Sequence, residues 1–234
     1  MTHPPSNTSI DELGDRLRKG GVDDADLRAL DGFRRSFVDA YEMVVDRIRR
    51  VLSMEPTGRP AKSTTSIIDK LHRETTRLSQ VQDIAGCRLV VPDVYTQDQV
   101  VDRLVHSLDR AIVVDRRKVP SHGYRSVHII ASMLGKPIEI QVRTELQHLW
   151  AEFSEKVADV VDPAVKYGGG PRHIRERLDS LSVTIEQLET TESQRGAAQA
   201  AEIERIKADL RKQLQNAIDS ASDLYPGDTN VVSD

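Results

Sequence analysis

Lys62, Ser66, Lys70 and Arg73 succeed one another at intervals of four, four and three residues. That spacing sets side chains along one stripe of an α-helix. Three cations and a hydroxyl on one stripe, led by a helix N-terminus, suit a polyphosphate. The same stripe also suits a solvated face carrying ion pairs, such as Lys70 with Glu74. Asp83 opens the run Asp83-Ile84-Ala85-Gly86-Cys87-Arg88. An acid just before a strand can hold magnesium, which takes oxygen ligands and usually keeps several waters. Gly86 permits either a close backbone approach or a positive φ, and Arg88 is placed to reach the same phosphates. Standing alone, the run would also read as a turn acid and a strand-edge arginine.

A second acid lies in Glu139-Ile140-Gln141-Val142-Arg143. Strand alternation puts Glu139, Gln141 and Arg143 on one face and Ile140 and Val142 on the other. Three adjacent polar side chains are costly to bury without partners, so the face is either solvated or part of a site. The segment from Arg116 to Arg125 holds Arg116, Arg117, Lys118 and Arg125 and no acid, with Tyr124 beside Gly123. An aromatic ring among cations suits stacking on a base. The same composition would also bind RNA phosphates.

The elements that must position these residues follow from pattern. Asp11 to Leu52 is expected to be helix in one or two pieces, broken at Gly20-Gly21, with Leu27, Leu30, Phe33, Phe37, Tyr41, Val44, Val45 and Ile48 at helical spacing. Pro56, Gly58 and Pro60 predict a loop. A helix follows from about Thr64 to Leu78. Cys87 to Val91 reads as a buried strand, Thr96 to Leu108 as helix, and Ala111 to Val114 as a strand. Ser126 to Met133 and Pro137 to Val142 form a hairpin about Gly135. Glu145 to Val160 is helical, Pro163 to Pro171 a hinge or loop, and Arg172 to about Leu224 one or two long helices. The first nine residues and the tail after Pro226 are expected to be loose. Mixed elements around one sheet give an α+β fold. The expected organisation is a helical segment over 1–55, a core over 56–167, a C-terminal helical extension over 168–224 and a tail over 225–234.

A single cysteine, Cys87, excludes an intrachain disulfide and a cysteine-rich zinc site. A net charge of −4 means that phosphate binding must come from local basic clusters. No apolar run approaches a membrane span and the N-terminus shows no secretory pattern, so the expected compartment is the cytoplasm.

Together, Lys62-Ser63-Thr64-Thr65-Ser66, Asp83-Ile84-Ala85-Gly86-Cys87-Arg88, Gly123-Tyr124-Arg125-Ser126-Val127-His128 and Glu139-Ile140-Gln141-Val142-Arg143-Thr144 resemble the synthetase domain of RelA/SpoT proteins in order, spacing and identity. The resemblance covers roughly Ala40 to Tyr167. It implies a nucleotidyltransferase-like mixed sheet flanked by helices. It also implies transfer of the β,γ-pyrophosphate of ATP to the 3′-hydroxyl of GDP or GTP, giving (p)ppGpp and AMP. Under it, Asp83 and Glu139 would ligate Mg2+, and Glu139 would also orient or deprotonate the attacking hydroxyl. Lys62, Ser66, Lys70, Arg73 and Arg88 would hold the donor. Tyr124 would stack on the acceptor's guanine, with Lys118, Arg125, His128, Gln141 and Arg143 around the acceptor.

Three positions depart from the family pattern. Pro60 stands where many members have an arginine, leaving Arg59 beside it for the ATP role. Val119-Pro120-Ser121-His122 replaces Pro-Lys-x-Asn before Gly-Tyr. Ser154-Glu155 stands where a Glu-His pair is usual. No His-Asp pair occurs in the chain, so synthesis without hydrolysis is expected. One alternative keeps the chemistry but uses the 3′ end of tRNA as acceptor, clamped by Arg116, Arg117 and Lys118. Another is an inactive nucleotide-binding regulatory module. Ile174, Leu178, Leu181, Ile185 and Leu188 form a stripe that serves either packing on the catalytic domain or self-association, with a homotetramer the favoured assembly.

Overall fold

The computed structural model describes residues 6–20, 22–194 and 197–224. The proline pair Pro4-Pro5, Gly21 and the tail 225–234 lie outside them. Contacts divide the chain into two units. The first comprises Met1–Leu89, Val100–Val113 and His128–Gln141; the second comprises Val90–Gln99, Val114–Val127 and Val142–Asp234.

The N-terminal region forms three helices, α1 (Asn7–Lys19), α2 (Asp24–Arg35) and α3 (Val38–Leu52), rather than one or two. Ser6 caps α1 through its hydroxyl, which accepts from Ser9 N at 3.3 Å, so order begins before the expected Asp11. Gly20, at φ 77°, ends α1, and the Asp23 carboxylate caps α2. The break between α2 and α3 has no glycine or proline. Ser36 N and Phe37 N bond back to Phe33 O and Arg34 O, which tightens the chain into a turn. Along α3, Tyr41, Val44, Val45 and Ile48 are buried as their spacing predicts, each contributing about 1.5–3 kcal/mol of apolar burial.

Thr57–Arg59 is a short strand, β1, where a loop was expected. It pairs antiparallel with β2 (Ala85–Val91), placing Gly58 opposite Cys87 and Arg59 opposite Gly86. Gly58 makes this possible, since a Cβ there would fall 2.5 Å from Gly86 O. Next comes α4 (Thr64–Arg73), capped by Ser63 and ending five residues before the expected Leu78. A separate 3-10 turn, Leu78–Gln80, follows. The remaining elements are α5 (Val94–Ser107), β3 (Ala111–Asp115), β4 (Val127–Met133), β5 (Lys136–Thr144), α6 (Glu145–Val160), a 3-10 turn (Pro163–Tyr167), α7 (Arg172–Gln194) and α8 (Ala197–Leu224). Among the described residues the strands form one sheet in the order β1-β2-β5-β4-β3. The β4–β5 hairpin turns on Leu134 and Gly135, both at positive φ, as a two-residue connection requires.

In the second unit, α6 starts with a reciprocal capping box between Thr144 and Gln147. Its Leu146, Trp150, Ala151 and Ala158 form a core with Leu178 and Ile185 of α7. The α7 stripe is therefore used in packing against α6. Among the described residues, no helix is long and apolar enough to cross a membrane.

Candidate active site

The first unit gathers most of the residues expected to handle a donor and a metal. Asp83, in the turn before β2, receives the Lys62 ammonium on one oxygen and the Lys70 ammonium on the other, the latter at 3.0 Å. Lys62 lies before the Ser63 cap and so is off the helix that was expected to carry it. Its backbone N–H bonds Ile84 O at 2.7 Å, and Arg34 Nε donates to its carbonyl at 2.6 Å. Two backbone ties thus bring Lys62 to Asp83. Burial pushes the Asp83 carboxyl up, but the charges and hydrogen bonds of Lys62 and Lys70 prevail and hold it below its ordinary value. Ser66 stays with the cap, its hydroxyl 2.7 Å from Ser63 Oγ. Arg73 lies exposed in the last turn of α4.

Glu139 on β5 is the second carboxylate. Its Oε1 lies 2.8 Å from His128 Nδ1, and its Oε2 accepts from Gln141 Nε2 at 2.7 Å. Burial raises its carboxyl, the His128 and Gln141 bonds outweigh this and hold it low, and the charge of Asp83 pushes it back up. The Asp83 charge thus reaches Glu139. Gly86 is where β2 approaches β5: a Cβ there would lie 2.8 Å from Glu139 O and 3.3 Å from Glu139 Cβ. A close approach, not a positive φ, is what this glycine supplies. It also shows that Gly86 and Glu139 face one side of the sheet. By alternation Arg88 shares that side, and Arg59, directly opposite Gly86, projects to it from β1.

A magnesium ion fits this donor set. Two carboxylates held below their ordinary values are what it takes when phosphate oxygens and waters complete its shell. Among the described residues no cluster of three or more acidic, histidine or cysteine ligands occurs, so a closed protein cage is not built here. Cys87, at 4 % exposure, has its thiol pushed up to about 12 by burial and by the Glu139 charge. Native protein at neutral pH is expected to resist an aromatic disulfide reagent, while the unfolded chain reacts fully. Rapid native labelling would contradict this.

The other predicted site residues lie in the second unit. Ser121 and Tyr124 exchange backbone bonds of 3.2 and 3.0 Å around His122 (φ 52°) and Gly123 (φ 81°). This tight turn presents Tyr124. His122, which stands in the usual asparagine place, adopts the left-handed conformation that both residue types tolerate better than most. Arg143, 5 % exposed, donates to Tyr124 Oη at 2.9 Å and holds its guanidinium carbon 5.0 Å from that ring's centre. Arg125 is tied to α7 and to its own loop, donating to Ser182 Oγ (3.1 Å), Glu186 Oε2 (2.7 Å) and Arg117 O (2.7 Å). Arg117 is engaged by Asp115 at 2.9 Å, Asp98 at 2.8 Å and Gln97 Oε1 at 3.1 Å. Lys118 is the outlier, 81 % exposed and 4.0 Å from Asp115. The structure therefore brings Asp83, Lys62 and Lys70 together, and likewise Glu139, His128 and Gln141, and Tyr124 with Arg143. It does not make Arg116, Arg117 and Lys118 a uniform cationic clamp.

Sequence reasoning missed Ser182, Glu186 and Glu189. The signal was present: Leu178, Ser182, Ile185 and Glu189 recur at helical spacing and are all buried, so two polar residues lie on the inward line of α7.

Comparison with known proteins bears on this arrangement. A family profile described as a region found in RelA / SpoT proteins matches residues 58–158. An uncharacterised protein of Mycobacterium tuberculosis is 32% identical over 185 residues, covering 74% of this chain and 66% of that protein's length. The chain thus spans just under two thirds of that relative. A probable chloroplastic GTP diphosphokinase of Oryza sativa is 35% identical over 97 residues, covering 39% of this chain and 13% of that protein. Among solved structures, small alarmone synthetase 1 of Bacillus subtilis bound to pppGpp shares the fold. Its TM-score is 0.57 at 21% identity, covering 71% of this chain and 96% of that one.

Proposed function

Because residues 58–158 match the region found in RelA / SpoT proteins, we propose that the chain transfers the β,γ-pyrophosphate of ATP to the 3′-hydroxyl of GDP or GTP and releases AMP. The observation that carries this reading is the pair of ionised carboxylates Asp83 and Glu139, one set between two lysines and the other between His128 and Gln141. Pyrophosphate transfer is mostly positioning and charge neutralisation. Asp83 and Glu139 would hold magnesium, which supplies charge neutralisation on the phosphate oxygens. Lys62 and Lys70 keep Asp83 ionised and are the cations the donor phosphates recruit, with Arg59 and Arg88 facing the same side of the sheet. Glu139, held ionised, accepts the proton of the 3′-hydroxyl, and its bonds to His128 and Gln141 fix the carboxylate for that task. Tyr124, braced by Arg143, supplies the ring on which the acceptor base stacks. Synthesis without hydrolysis belongs to the same reading, as does a cytoplasmic location.

The test is incubation with ATP, magnesium and one acceptor at a time: GDP, GTP, ATP or tRNA, with products separated by chromatography. The expected result is AMP release equal to formation of a guanosine nucleotide carrying the pyrophosphate, and loss of both when magnesium is chelated. Label entering only tRNA would replace the acceptor. Absence of AMP with every acceptor would end the transferase reading.

A further inference from the structure

Tyr124 sits on a turn whose two backbone bonds to Ser121 are supplemented from α7. The Ser182 hydroxyl donates to Gly123 O and accepts from Arg125 Nε at 3.1 Å, so one α7 side chain bonds the residues on both sides of Tyr124. Glu186, one turn further along α7, accepts from Arg125 Nη2 at 2.7 Å. The Arg125 side chain is 10 % exposed, and its Nη1 donates back to Arg117 O, closing the loop on itself. A second tie starts at Glu189, which accepts from Thr144 Oγ1 and, at 3.0 Å, from Gln147 Nε2. Gln147 in turn accepts from Gln97, whose amide also donates to Val142 O at 2.7 Å. Val142 and Thr144 flank Arg143, the residue that bonds the Tyr124 hydroxyl. Both members of the Tyr124–Arg143 pair are thus bracketed by bonds that lead to α7.

From this geometry we infer that α7 is the positioning element of the acceptor subsite, with Ser182 and Glu186 holding the Tyr124 turn and Glu189 holding the strand end that carries Arg143. Neither Ser182 nor Glu186 touches substrate. They act through Gly123 and Arg125, and the C-terminal helix is thereby part of acceptor recognition. A polar network of this kind, with Ser182 and Glu189 buried, favours one arrangement of the groups it joins. Losing part of it frees the turn to sample other positions, and the acceptor then binds only to the fraction that remains competent.

The inference rests on the proposed transfer to guanosine nucleotides, and the experiment separates the two. The full-length double variant Ser182→Ala with Glu186→Ala is assayed by AMP release while GDP and ATP are varied separately. The acceptor KM is expected to rise about tenfold, with the ATP KM within about twofold of wild type. The single variant Glu186→Gln, which keeps an oxygen for Arg125, should lie close to wild type. A merely structural role would lower the unfolding temperature and disturb both substrates together. An unchanged acceptor KM, or equal changes for donor and acceptor, overturns the positioning role alone. A wild-type protein that does not turn over guanosine nucleotides overturns the functional reading and this inference with it.

Discussion

Glu139→Gln is expected to reduce pyrophosphate transfer by about three orders of magnitude while the protein stays folded, the range in which loss of a positioned general base falls. The substitution preserves volume and removes a charge. Under the proposed mechanism the side chain can then no longer take the 3′-hydroxyl proton, and it loses one of the oxygens that would hold the metal. The cost to the fold is local. The side chain now carries one amide nitrogen, and Gln141 and His128 both approach it within 2.8 Å. Facing a donor with a donor costs about 1–3 kcal/mol at a buried site, offset in part by relief of repulsion from Asp83, whose charge pushes against Glu139. AMP release should therefore collapse while the unfolding temperature falls by only about 5 °C or less. Asp83→Asn should be comparably inactive, with a larger stability cost. Lys62 and Lys70, whose side chains are only 23 % and 20 % exposed, would then face each other without the carboxylate that joins them. Either variant retaining near wild-type turnover would remove the two-carboxylate mechanism.

How much of this was legible in the sequence depends on the range of the interactions. The β4–β5 hairpin was readable because Gly135 is a local signal between two strand-like runs. The Lys62–Asp83–Lys70 cluster was half readable. The three residues were singled out by type, but pairing across 21 residues is set by the Lys62 and Ile84 backbone bond, which no side-chain pattern announces. β1 read as a loop because Gly58 and Pro60 are turn residues by propensity. Its pairing partner is what makes it a strand, and there the absent Cβ of Gly58 is a steric requirement. The loop from Arg116 to Arg125 read as freely cationic because composition counts charges without locating partners. Arg117 finds Asp98, distant in sequence, and Arg125 finds Glu186, 61 residues away. Those acids stand on helix faces beside the loop, Asp98 59% and Glu186 47% exposed, where composition alone gives no reason to pair them with a particular arginine.

Two glycines followed by the same substitution should respond with opposite sign, which tests whether the approach of β2 to β5 matters as the geometry says. At Gly86 a new Cβ meets the Glu139 carbonyl oxygen at 2.8 Å, and that carbonyl cannot retreat because Ile138 and Ile140 on either side are fully buried. Gly86→Ala must push β2 away from β5 or shift Glu139, at a cost of about 2–3 kcal/mol, as overpacking in a filled interior usually carries. The unfolding midpoint should fall by about 5–10 °C. Activity measured well below that midpoint should fall too, because the displaced residue is the proposed base. At Gly32, exposed in α2, an added Cβ meets nothing within 4 Å. Gly32→Ala should stabilise the protein by about 0.5–1 kcal/mol through helix propensity alone, with turnover unchanged. If Gly86→Ala instead melts and turns over like wild type, the strand spacing yields freely, and the close approach at Glu139 is not what holds the carboxylate in place.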